Sequence, residues 1–140
     1  MPVTAMKQMW ALLDAYNLRP TGEERPVNHV NEWGGYSRRL KMPVFTGWQD
    51  HTKFDKESKT TTSQVSDTTW SGTVGVNNQE HWLADAEQNN DSIAAFFIIH
   101  AADVNATPRK VKYIDAGKVF VGKIVREGTA TYIVGQPRIL

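Results

Sequence analysis

Ile93-Ala94-Ala95-Phe96-Phe97-Ile98-Ile99 is the stretch that decides the fold. It is too short to cross a membrane and has the length of one strand. A strand with one wet face alternates apolar and polar residues; this one does not, so it reads as a strand covered on both faces. Three β-rich segments follow at short spacing, Val111–Ile114, Val119–Val125 and Thr131–Val134, separated by Asp115-Ala116-Gly117-Lys118 and by Glu127-Gly128. Glycine accepts the positive φ of tight hairpin turns, so Ser92 to Leu140 is expected to form a meander.

Helical periodicity is confined to two places upstream. Met6, Met9, Trp10, Leu13 and Tyr16 recur at the spacing of one helix face. Thr4 is the expected cap and Val3 the expected staple, and Leu18-Arg19-Pro20 the expected stop. This stripe reads as core, packed on the C-terminal sheet. Asn77 and Glu80 have capping-box spacing, and a short helix is expected over residues 78–88, its acids toward water. Tyr36–Phe45 and Gln64–Val76 read as further strands. Within the first, Met42-Pro43-Val44-Phe45 reads as an edge strand, because proline cannot donate to a ladder. Thr21 to Asn31 reads as loop. Residues 49–64 are polar apart from Phe54 and include Lys59-Thr60-Thr61-Thr62-Ser63. They are expected as a mobile loop or projecting hairpin arm, since they carry too little apolar surface to offset ordering.

These elements imply one α+β domain over residues 1–140. In it an N-terminal helix and one short helix pack on a mainly antiparallel twisted sheet. A half-closed β-barrel with flanking helices is the alternative. A chain of 140 residues is long enough to bury a core without staples, and it contains no cysteine, so disulfides, thiolate chemistry and Cys-based zinc are excluded. Met1 to Lys7 lacks a basic region followed by an apolar core, so no signal peptide is expected, and the cytoplasm is the expected location.

Charge is segregated although the net is only +1. Asn77 to Val104 holds five acids and no Lys or Arg, whereas Asn105 to Leu140 holds seven bases against two acids. Either an acidic helix lies near a basic sheet, or the basic face meets an anionic ligand.

Trp33-Gly34-Gly35-Tyr36-Ser37-Arg38-Arg39-Leu40-Lys41 is the local constellation that bears most on function. Aromatics beside bases are what base stacking and phosphate contact use. Trp33, Tyr36, Arg38, Arg39 and Lys41 are therefore the candidate ligand-binding residues. The plainer account makes Trp33 a core residue and the bases a solvated strand face.

Other chemistry finds little support. The histidines His29, His51, His81 and His100 show no paired metal-ligand spacing, and neither metal nor cofactor is expected. Asp50 with Glu57 and Lys59 resembles a metal-nuclease spacing but lies in the most polar stretch of the chain. The expected function is a small soluble binding module for an anionic partner, nucleic acid being the class that fits aromatics beside bases. The first alternative is a homo-oligomeric interaction protein, a homodimer without catalytic activity. The second is a small enzyme of unspecified reaction using His100, Asp103 or His51. The balance leans away from an enzyme.

Overall fold

The computed structural model describes residues 2–70, 72–106 and 109–140, with side chains from Ala5 onward within them. Among these residues there are two α-helices and ten strands. The N-terminal part contains α1 (Pro2–Leu12), β1 (Ala15–Leu18), β2 (Glu24–Pro26), β3 (Gly34–Ser37) and β4 (Met42–Trp48). A 3₁₀ turn, Gln49–His51, leads into β5 (Thr52–Asp55) and β6 (Thr60–Asp67). Then come α2 (Thr73–Asn89), β7 (Ile93–Ala101), β8 (Val111–Ile114), β9 (Lys118–Glu127) and β10 (Ala130–Ile139). No described helix is long and apolar enough to cross a membrane.

The strands form one mostly antiparallel sheet in the order β2-β1-β3-β4-β7-β9-β10-β6-β5. β9 pairs with the first half of β7 and β8 with its last residues, so these two strands share one edge of it. The central strand is β7, and its side chains alternate between two apolar clusters. Ala95, Phe97 and Ile99 pack with Met6, Met9, Trp10 and Leu13 from α1 and its end. Ala94 and Phe96 pack with Trp82, Leu83 and Ala86 of α2. One helix covers each face there, which is why the run from Ile93 to Ile99 has no polar residue.

Several boundaries differ from expectation. Thr4 lies inside α1 and so is not its cap; its side chain and that of Val3 lie outside the described ones. Asp14 adopts a φ of 49°, which turns the chain out of the helix after Leu13. Tyr16 therefore sits on β1, packed against the α2 cluster rather than on the α1 stripe. The stretch read as loop supplies β2, paired to β1 from Tyr16↔Pro26 to Leu18↔Glu24.

β4 is central, not an edge. It pairs antiparallel with β3 and parallel with β7. Pro43 is accommodated because the parallel ladder begins only at Val44↔Ala95, so no partner on β7 needs its missing N–H. The polar stretch 49–64 forms the 3₁₀ turn, β5 and the start of β6, with its tip at Lys56–Lys59. Thr61 and Ser63 are buried; Thr52 Oγ1 donates to the Trp48 carbonyl at 2.8 Å and lies 2.9 Å from Ser63 Oγ, which can donate to it, so these two hydroxyls are satisfied inside the fold. The sheet is open but strongly curled: a Cβ on Gly47 of β4 would lie 2.4 Å from Ser63 Oγ of β6.

α2 begins at Thr73, five residues before the expected start, and absorbs Val74 and Val76, whose β-branched pattern predicts a strand. Their β-branched character is overridden by packing at Gly75, where helix and Trp33 are in direct contact.

Candidate functional site

Trp33 is fixed by α2 and β4. The backbone N–H groups of Trp33 and Gly34 donate to Asn78 Oδ1 of α2 at 3.0 and 2.7 Å. The Trp33 carbonyl accepts from the Thr46 N–H of β4 at 3.1 Å. Gly75 lets α2 lie directly on the indole, since a Cβ there would be 2.4 Å from ring carbons. Asn78 Nδ2 donates to Asn17 Oδ1 at 3.0 Å, and Trp82 Nε1 donates to the same oxygen. Asn17 Nδ2 donates to Glu32 Oε1 and to the Gly34 carbonyl. Glu32, 5 % exposed, is gripped bidentately by Arg25 at 2.8 and 2.6 Å and accepts from the Asn28 N–H. Burial opposes its charge, but the hydrogen bonds from Arg25, Asn28 and Asn17 outweigh it and hold the carboxyl below its ordinary range. A buried polar network thus sets the position of one tryptophan.

That tryptophan walls a cavity of about 520 Å³, within the usual range for ligand sites. Trp48 from β4, Trp70 after β6, His51, Gln79 of α2 and Arg109 are among the other residues that line it, with His29 and Thr46. Trp70 stands edge-on to Trp33 at 6.5 Å between centroids, and His51 stacks on Trp70 at 5.8 Å. Arg109 lies over Trp48, 5.1 Å from the ring centre, and binds both oxygens of Asp50 at 2.8 Å. Its hydrogen bonds are the main cause of an Asp50 pKa below the ordinary carboxylate range. Two buried polar atoms on lining residues, His51 Nδ1 and Gln79 Oε1, have no hydrogen-bond partner among the described residues.

A second concavity of about 490 Å³ is lined by Phe54, Lys56, Lys59, Lys118 and Phe120. Phe54 is 63 % exposed, and Lys118 Nζ lies 5.3 Å from the centre of the Phe120 ring. His51 of the first cavity and Phe54 of the second are three residues apart along the chain entering β5, a span of about 10 Å.

The expected site residues separate. Trp33 lines the tryptophan cavity. Tyr36 packs against Tyr16 and Trp82 in the α2 cluster. Arg38 lies 4.4 Å over the Tyr16 ring and pairs with Asp14 and Glu24. Arg39 donates to the Leu12 carbonyl at the C-terminus of α1, where a cation is favourable. Lys41 is exposed in the turn before β4 with a φ of 59°. Trp33 precedes β3 and the basic residues follow it, so about 17 Å of strand lies between them.

Comparison with protein-family models, curated proteins and solved structures finds no match.

His100 Nε2 lies 3.1 Å from Asp115 Oδ1, and its ring stacks on Tyr113 at 4.0 Å. Asp103 instead accepts from the Asn105 N–H in its own turn. Asp50 is held by Arg109 while Glu57 lies exposed at the β5–β6 tip, so the nuclease-like spacing does not converge. No group of three or more His, Asp or Glu side chains suited to a metal occurs among the described residues. The convergence of Trp48, Trp70, Gln79 and Arg109 on one cavity is not legible in the sequence, because they lie on separate elements and only the fold brings them together. The abundance of tryptophan, five in 140 residues, was the available signal.

Proposed function

We propose that the protein is a binding module for single-stranded nucleic acid. One unstacked base enters the tryptophan cavity, and neighbouring phosphates lie over Arg109, Lys56, Lys59 and Lys118. The observation that carries this reading is the convergence of Trp33, Trp48 and Trp70, from three separate parts of the chain, on one cavity. Trp10 and Trp82 are core residues, 3 % and 4 % exposed. The three cavity tryptophans are only half-buried, as a stacking platform requires.

Aromatic cages also bind methylated ammonium groups. Two features favour a base instead. Arg109 already places a cation over Trp48, and the Asp50 carboxylate that would attract a second cation is occupied by Arg109. The lysines around Phe54 add positive charge within a few nucleotides' reach. Lys41 and the Arg38–Arg39 pair, at the far end of β3, are not needed by this reading.

Fluorescence anisotropy of a labelled single-stranded octamer tests it. Affinity should fall about tenfold or more between roughly 50 and 200 mM salt. Trp33→Ala and Trp70→Ala should each weaken binding by roughly 5- to 150-fold, the worth of about 1–3 kcal/mol of stacking. Absence of binding at low salt, or displacement of the octamer by millimolar tetramethylammonium but not by a second oligonucleotide, would overturn it. Homodimerisation is a separate proposal, motivated by the open edges β2 and β5. A monomer at all concentrations in sedimentation removes it.

A further inference from the structure

We infer that the cavity selects its base by N–H donors: Gln79 Oε1 and His51 Nδ1 are acceptors that take an amino-bearing heterocycle. The inference rests on the reading of the cavity as a base-binding site.

Gln79 is 1 % exposed, and its Nε2 donates to the Val65 carbonyl at 2.6 Å. A carbonyl only accepts, so the amide nitrogen must face Val65 and the orientation of the group is fixed. Oε1 is the atom left over. Gln79 borders the cavity, and Oε1 is buried with no partner among the described residues. An unpartnered buried amide oxygen is costly, and a position that served packing alone would suit leucine or methionine better.

His51 supplies the second acceptor. Its Nε2 lies 3.7 Å from Asp50 Oδ2, and Arg109 keeps that carboxylate ionised. In the tautomer with the proton on Nε2, toward that carboxylate, Nδ1 is an acceptor. Nδ1 too is buried without a partner among the described residues. The ring stacks on Trp70, which restricts its plane.

Two acceptors on an aromatic wall match a base whose edge carries an exocyclic amino group, as adenine, cytosine and guanine do. Uracil and thymine place a carbonyl on each side of their single ring N–H, and those oxygens would face the two acceptors. Sites built to hydrogen-bond a group reject analogues that lack it far more strongly than apolar pockets reject a missing methylene.

The test uses uridine octamers with one central residue varied, bound to the intact protein and measured by anisotropy. Cytidine or adenosine at the centre should bind at least tenfold tighter than uridine, and adenosine at least tenfold tighter than purine riboside, which differs only by the amino group. Gln79→Met should bring these ratios toward one. Should Gln79→Met fail to fold, His51→Phe, which keeps a ring on Trp70, should reduce the same ratios. Equal binding of all four octamers by the wild-type protein overturns the inference and leaves the base-binding reading standing. Failure of every octamer to bind overturns both.

Discussion

Phe97 lies fully buried on β7, edge-on to Trp10 at 5.1 Å between ring centres. Phe97→Ala leaves a cavity between α1 and the sheet and should cost on the order of 3–5 kcal/mol, read from chemical denaturation. A loss below about 1 kcal/mol would contradict the packing described. Gly75 makes a prediction of opposite sign to helix propensity. Alanine normally stabilises a helix interior relative to glycine by about 1 kcal/mol. Here its Cβ would strike the Trp33 ring, so Gly75→Ala should destabilise by roughly 1–3 kcal/mol and weaken oligonucleotide binding with it. A raised melting temperature with unchanged binding would show that Trp33 is not clamped there. At this scale the sequence was half legible. Trp33 stands out by its glycine and basic neighbours and lines the cavity, whereas those bases pair within the fold, Arg38 with Asp14 and Glu24 and Arg39 with the end of α1.

Among the elements, local pattern identified those whose periodicity agrees with their environment. β7 reads as a doubly covered strand because it is one, and the β9–β10 hairpin reads from Glu127-Gly128 because Gly128 takes a φ of 61°. Errors arose where tertiary packing overrides pattern: Tyr16 continues the helical period of α1 yet serves the opposite face of the sheet, and Val74 and Val76 lie in a helix. The charge segregation between α2 and the C-terminal strands has a structural part. Arg126 of β9 binds Glu87 and Glu80 of α2, and the bond to Glu87 is the larger cause of its raised pKa. These groups are about one-third exposed, so water and salt screen the pair. Arg126→Met should cost about 1 kcal/mol or less at low salt and almost nothing at about 1 M salt. An equal loss at both salt concentrations would mean that the arginine acts through packing instead.

For the molecule as a whole, Glu32 couples stability to pH. Its carboxyl is held below the ordinary range in the folded state, so the unfolded chain takes up its proton more readily. The stabilisation is fully present above about pH 5, and is lost as pH falls past the ordinary value near 4.3 and through the lower folded one. Glu32→Gln should be less stable by roughly 1–3 kcal/mol at neutral pH, with a flatter decline below about pH 4. An unchanged acid limb would place the coupling elsewhere, with Asp50, Asp67 or Glu87, whose pKa values are also lowered. The network around Glu32 ends at Trp33, so fold and site share one support. The measurement that tests the central claim most directly is the shift of the five indole N–H resonances as a mixed-sequence single-stranded octamer is added at low salt. Trp33, Trp48 and Trp70 should move together and saturably, while Trp10 and Trp82, buried in the two cores, stay in place. Static resonances for the three cavity tryptophans, or shifts confined to other surfaces of the protein, would contradict the account.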